Sequence, residues 1–381
     1  MKIPFHKAFY DAEDERALRD AVRAGALVGD GPFTQRACAE LSGLLGGSKV
    51  LLTTSCTHAL ELAMMVLELG PGDEVIVPSF TFVSTTNCIL RQGARVVFAD
   101  IVPDTLTLDP EDVQRKVRQA TKAVVPIVYA GVPPDLDALA TLCGNRGIAL
   151  VEDAAQGLGV FHRGRPAGTI GAIGCLSFHE TKNLSTGEGG AFITADPALW
   201  SRAEIVREKG TNRKQFLQGL VDKYSWVEVG SSFLPPDSTG ALLMSQLAKR
   251  EQIQQRRRVL YERYQQAFAP LAERGVLQLP VIPPHVTSNY HIYHVLLPDE
   301  QTRNEALAFF RSKGVGTTFH YLPLHLSPMG RRLGFGPGDC PVTESASKRL
   351  LRLPIYPSLN DEEQAFVIKA MQEFFSLSVP A

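Results

Sequence analysis

The sequence predicts an α/β protein: a large domain with a mostly parallel sheet sandwiched by helices, followed by a smaller α+β domain at the C-terminal end. Three observations predict it. From about residue 49, short apolar runs alternate with segments of helical spacing. The runs are apolar almost throughout, as strands buried on both faces must be. Beyond a long helical stretch near 238–271 the texture changes, and 381 residues exceed what one core usually holds. The boundary falls at that stretch, giving residues 1–245 and 246–381.

In chain order, residues 50–52 form the first strand and 57–69 carry apolar residues at helical spacing. Residues 74–77 are the next strand, followed by a helix near 81–91. The strand 95–100 precedes a helix near 109–120, and the strand 123–128 precedes one near 136–145. Residues 148–151 close the series. Two further strands, 175–178 and 190–194, flank a loop that contains Lys182. The smaller domain reads as strand 291–297, helix 302–313, strand 315–319 and a helical tail at 361–376.

Composition excludes several classes. The chain is 44% hydrophobic and 21% charged, with a net charge of −1 and no long run of one sign, so no nucleic-acid or membrane-surface footprint stands out. Lys249, Arg250 and Arg256-Arg257-Arg258, interleaved with Glu251 and glutamines, read as the wet face of a helix. Six cysteines without a C-x-x-C spacing fit reduced, mostly buried thiols and give no metal site. Residues 1–7 contain no apolar leader segment, and a soluble cytoplasmic protein is expected.

The chemistry is concentrated in two places. The run ending at Val151 is followed by Glu152-Asp153-Ala154-Ala155-Gln156, and 182 − 153 = 29 residues later Lys182 stands in Ser177-Phe178-His179-Glu180-Thr181-Lys182-Asn183. Pyridoxal phosphate needs an amine for its aldehyde and a carboxylate for its ring nitrogen. Singly, the acid also reads as a strand-end cap and the lysine as a surface charge. Thr53-Thr54-Ser55-Cys56-Thr57-His58-Ala59 opens a helix with hydroxyls, which suits either an N-cap or an anion site. Pro78-Ser79-Phe80-Thr81-Phe82 follows a strand, so its aromatics either stack on a planar cofactor or fill the core. No G-x-x-x-x-G-K-[ST] occurs, and no G-x-G-x-x-G follows the first strand, which counts against P-loop and dinucleotide enzymes.

Taken together with Gly187-Glu188-Gly189-Gly190, these motifs resemble the fold-type-I, pyridoxal-phosphate-dependent sugar-nucleotide aminotransferases. A narrower resemblance is carried by Gly29-Asp30-Gly31, Phe33-Thr34, 207–213, 221–224 and Leu351-Arg352-Leu353-Pro354. It is to the branch that aminates dTDP-4-keto-6-deoxyglucose at C-4, giving dTDP-4-amino-4,6-dideoxygalactose for surface glycans. The resemblance implies that Lys182 carries the cofactor as a Schiff base and then moves the proton, while Asp153 pairs with the ring nitrogen. It implies that Phe82 stacks on the ring, Gln156 lies by its phenolic oxygen, and Ser55, Cys56, Thr57 and Ser177 bind the phosphate. Lys209, Arg213, His320, Tyr321 and His325 become substrate candidates, with L-glutamate as donor, a nucleotide-linked keto-sugar as acceptor, and a homodimer sharing its sites. One departure stands out: where many members carry an asparagine that reaches the neighbouring subunit's phosphate, this chain has Leu234, with Ser231 and Ser232 nearby.

Overall fold

The computed structural model describes residues 2–25 and 27–377. Its strands run β1 (Lys49–Thr53), β2 (Glu74–Pro78), β3 (Arg95–Ala99), β4 (Thr121–Val124), β5 (Ala149–Ala154), and the short β6 (Phe161–His162) and β7 (Arg165–Pro166). They continue with β8 (Ile173–Ser177), β9 (Gly190–Thr194), the short β10 (Val286–Thr287), β11 (Tyr293–Leu296) and β12 (Leu350–Leu353). Seven make one sheet in the order β1-β9-β8-β5-β4-β2-β3. All its pairings are parallel except those of β9, which runs antiparallel between β1 and β8. β1, β2, β5 and β8 therefore end on the same edge, where open α/β sheets place their ligands.

Both faces of this sheet are covered, which is why its strands are apolar throughout. Side chains alternate across a strand. Leu51, Val75, Val77 and Val151 enter one core with Ala59, Leu62 and Ala63 of the helix Cys56–Val66. Val50 and Leu52 enter another with Ala37, Leu41 and Leu243, and Ile76 and Leu150 pack with Leu139 and Cys143. A further core collects Tyr264, Phe268, Tyr293, Phe310, Met371 and, from the other end of the chain, Ile3. It lies around the two-stranded β11–β12 sheet. Among the described residues no helix is long and apolar enough to cross a membrane. The six cysteines are free thiols, five of them buried.

Two expectations are corrected. The stretch 238–271 is not one helix but two, Asp237–Ala248 and Arg250–Glu273. The break is at Lys249, whose ammonium turns back to Asp11, at 2.8 Å, and to Asp14. Residues 315–319 form no strand: only isolated bridges occur, Val315 to Ile3 and Thr318 to Arg352. The segment passes between different partners too briefly to build a ladder. Gly316 lies so close to the N-terminal segment that a Cβ there would sit 2.5 Å from the Phe5 nitrogen.

Candidate active site

A cavity of about 450 Å³ opens at the sheet edge where β1, β2, β5 and β8 end. Ser55, Cys56, Thr57, Phe82, Asp153, Gln156, Ser177 and Lys182 all line it, as do His320 and Tyr321 from the C-terminal part. The loops that follow four strands thus converge with a segment far along the chain.

Adjacent acids on β5 face opposite ways. Glu152 is buried and accepts the N–H groups of Gly168, Ile170 and Gly171 at 2.6–2.7 Å, so it shapes a loop. Asp153 turns into the cavity, 5% exposed, accepting from Thr85 Oγ1 at 2.8 Å and the Ala155 N–H at 3.1 Å. Thr85 is steadied in turn by Thr81, 2.9 Å away. Burial pushes the Asp153 pKa up, against those two hydrogen bonds. Lys182 follows a tight turn in which its own N–H donates to the His179 carbonyl at 2.9 Å. Burial lowers its pKa, and the charge of Arg352 adds to that. Neither Asp153 nor Lys182 is in an ion pair among the described residues. Next to the lysine, Asn183 is fixed by the Asn289 carbonyl and the His291 ring, both at 2.8 Å.

At the other end of the cavity the helix Cys56–Val66 begins. Ser55 Oγ caps it by accepting from the His58 N–H at 3.1 Å, which leaves the hydroxyl proton free to donate. The helix itself supplies no acceptor for its first N–H groups, those of Cys56 and Thr57. Thr57 Oγ1 and Ser84 Oγ stand 2.7 Å apart, and Ser177 completes a rim of hydroxyls. Gly190 must be glycine here, because a Cβ would lie 2.4 Å from the Cys56 nitrogen. The two phenylalanines separate: Phe80 is core, 1% exposed and edge-on to Tyr129, whereas Phe82 is 60% exposed in the cavity wall. Gln156 spends its oxygen on the Ala130 N–H at 2.7 Å and donates to the Tyr321 hydroxyl at 3.2 Å.

Pyridoxal phosphate fits this donor set. A helix start ringed by hydroxyls suits its phosphate, an aromatic face stands free for its ring, and a buried carboxylate in no ion pair among the described residues suits a protonated ring nitrogen.

Three substrate candidates are not brought to the cavity within one chain. His325 is fully buried, tied to Ser79 Oγ at 2.6 Å and Glu344 at 3.0 Å, and locks the end of β2 to the turn at Leu324–Leu326. Lys209 is exposed and pairs with Glu208 at 2.9 Å. Arg213 begins the short helix Arg213–Leu217. Ser231, Ser232 and Leu234 also lie off the cavity wall. Part of the narrower resemblance is a structural knot: Arg207 pairs with Asp30, and the N–H groups of Phe33 and Thr34 donate to Asp237.

The sequence reading missed Thr85, Ser84, His291, Arg257 and Arg352 as residues of this wall. Arg257 is a correction to the wet-face reading of the basic cluster. It is 2% exposed and donates to the carbonyls of Ile355 and His291, at 3.2 and 2.6 Å. Three consecutive helical residues point 100° apart, so the middle one turns inward while Arg256 and Arg258 stay toward solvent. Burial and the Arg352 charge push His294 down to about 3 and His320 to about 2. Both rings are neutral above those values, so the fold disfavours their protonation as pH falls below the unfolded value of about 6.5. Imidazole nitrogen NMR is expected to show no inflection for either ring through the neutral and mildly acidic range. An inflection near the unperturbed histidine value would contradict the burial argument.

Comparison with known proteins accords with this geometry. The family model for the DegT/DnrJ/EryC1/StrS aminotransferases matches residues 9–372. The dTDP-4-dehydro-2,3,6-trideoxy-D-glucose 4-aminotransferase of Saccharopolyspora spinosa is 34% identical over 381 residues, covering 97% of this chain and 96% of that protein. The aminotransferase TlmJ from Streptoalloteichus hindustanus superposes with a TM-score of 0.90 at 34% identity, covering 98% and 99% of the two chains. The PMP form of the putative sugar aminotransferase Spr1654 from Streptococcus pneumoniae gives 0.91 at 27% identity, covering 99% and 100%.

Proposed function

Because the chain belongs to the DegT/DnrJ/EryC1/StrS aminotransferase family, whose members are pyridoxal-phosphate enzymes, we propose that it moves the amino group of L-glutamate to the C-4 ketone of dTDP-4-keto-6-deoxyglucose. The product is dTDP-4-amino-4,6-dideoxygalactose, made in the cytoplasm for surface glycans. The observation that carries the reading is the placing of Lys182, Asp153 and the start of the helix Cys56–Val66 around one cavity. The C-4 position is supported by the narrower sequence resemblance and by the 4-aminotransferase named above.

Pyridoxal phosphate, when bound, supplies an aldehyde carbon that takes up amines and a ring that draws electrons from them. Ser55, Thr57, Ser84, Ser177 and the first N–H groups of the helix would hold its phosphate, Phe82 would cover its ring, and Gln156 would serve its phenolic oxygen. Asp153, oriented by Thr85 and Ala155, gains from a cation at the ring nitrogen the partner that burial denies it. Lys182 would anchor the group, and its amine would take a proton from the donor's α-carbon. Its lowered pKa keeps more of the amine in the neutral, proton-accepting form than an exposed lysine would have.

A homodimer sharing its sites belongs to the same reading. From Leu217 to Val229 the chain exposes Leu217, Leu220, Trp226 and Val229 at 67–74%, an apolar surface of the kind a second copy covers. Lys209 and Arg213 adjoin it, which suits delivery to the partner's cavity. The division near residue 245 into a cofactor-binding domain and a smaller one is also part of the proposal.

The test is incubation of the cofactor-loaded protein with L-glutamate and dTDP-4-keto-6-deoxyglucose, with proton NMR of the product. An amine on C-4 in the galacto configuration is expected. An amine on C-3, or no aminated sugar, would overturn the substrate assignment and leave the family unaffected.

A further inference from the structure

Arg352 stands in the cavity wall on β12 and is in no ion pair among the described residues. Its Nη1 donates to the ring of His320, and the ring of Phe5 lies 4.7 Å from the guanidinium. The Nε–Nη2 edge is different. Nε is shielded from solvent and has no acceptor among the described residues, and the side-chain bonds that the guanidinium makes to them run through Nη1, not Nη2. The backbone is held on both sides, by the β11 register that sets Arg352 opposite His294 and by the hydrogen bond from its N–H to the Thr318 carbonyl at 2.7 Å. The groups whose charges bear on the guanidinium are tyrosines, Tyr129 and Tyr321, and no carboxylate is among them.

A guanidinium fixed in this way, with a free two-donor edge and no carboxylate beside it, matches a planar carboxylate side-on. Arg257, the other arginine of the wall, has its Nη1 and Nη2 already committed to backbone carbonyls. The phosphate end of the cavity is served separately by the helix Cys56–Val66. Three anionic groups remain in the proposed reaction, the donor's α- and γ-carboxylates and the nucleotide's diphosphate. The first sits one bond from the carbon whose proton Lys182 moves. The γ-carboxylate lies two methylenes beyond that carbon, and the diphosphate is separated from the reacting sugar carbon by the sugar ring, so both must lie further out. Arg352 is close enough to Lys182 for its charge to oppose the lysine's protonation, which suits the nearer anion.

We infer that Arg352 binds, through its Nε–Nη2 edge, the carboxylate on the α-carbon of the amino donor. The inference rests on the aminotransferase reading with an amino-acid donor.

The test separates the two half-reactions by the absorbance of the bound cofactor in single turnovers. Wild-type enzyme is compared with L-glutamate and with L-isoglutamine, in which that carboxylate is an amide, and then with Arg352→Gln and Arg352→Lys. Wild type is expected to react far faster with L-glutamate. Arg352→Gln is expected to slow that reaction on the order of 100-fold, as loss of one partner of a shielded charge pair does, and to erase the preference over L-isoglutamine. Arg352→Lys is expected to restore part of the rate. The keto-sugar half-reaction of the amine-loaded enzyme is expected to change little in either variant. A wild type that treats the two donors alike overturns the inference, whether or not the variants fold. Variants slowed only in the sugar half-reaction overturn it too, and transfer the guanidinium to the diphosphate. A wild type inert toward every amino acid would instead sink the proposed function on which the inference stands.

Discussion

Lys182→Ala is expected to lower turnover by more than about 10⁴-fold, because it removes a covalent anchor and a proton carrier at once. Among the described residues no other lysine lines the cavity to take over either task. Cofactor binding is expected to persist in weakened form, since the hydroxyls of Ser55, Thr57 and Ser177 and the start of the helix Cys56–Val66 are untouched. The variant should fold: the side chain makes no hydrogen bond or ion pair among the described residues, and the turn at 179–182 is held by the backbone. Steady-state kcat with saturating donor and keto-sugar gives the answer. Near-normal turnover would remove Lys182 from the mechanism.

Asp153→Asn carries the next largest effect, on the order of 10²- to 10³-fold in kcat, the scale for losing a preorganised electrostatic partner. Asparagine is almost the same size and keeps an oxygen for Thr85 or Ala155, so packing at the end of β5 is preserved. What disappears is the negative charge opposite the ring nitrogen. The same substitution relieves cofactor-free protein of a buried carboxylate that is in no ion pair among the described residues, and such charges are costly. The two consequences therefore part company: kcat falls, while the cofactor-free melting temperature holds or rises. A loss of stability in step with activity would show that Asp153 serves the fold and not the chemistry.

The contrast with Glu152 shows how far the sequence could be read. Both acids end the same apolar run, and period-two alternation says only that they face opposite sides. Asp153 was distinguished by its pairing with Lys182 and by the surrounding motifs, and the cavity unites all of them. The sheet was legible for a related reason. Its strands are buried on both faces, so each is marked by a local apolar run that needs no knowledge of its neighbours. The break at Lys249 was not legible, because it is made by Asp11 and Asp14, 235 or more residues away in the chain. Nor was Arg257, whose environment depends on where Ile355 and His291 arrive. Arg352 lay in a recognised stretch, but its free edge is a property of β12 standing opposite β11. Phe80 and Phe82, two residues apart, part to core and cavity in the bend that connects the end of β2 to the helix Ser84–Leu90.

The central claim is that this chain carries pyridoxal phosphate on Lys182. Its most direct test is borohydride reduction of the cofactor-loaded protein, followed by proteolysis and mass spectrometry. One peptide should gain the mass of a reduced pyridoxyl phosphate group, with fragmentation placing it on Lys182, and prior incubation with L-glutamate should abolish the label. A label on any other lysine, or no label on protein saturated with the cofactor, would contradict the account.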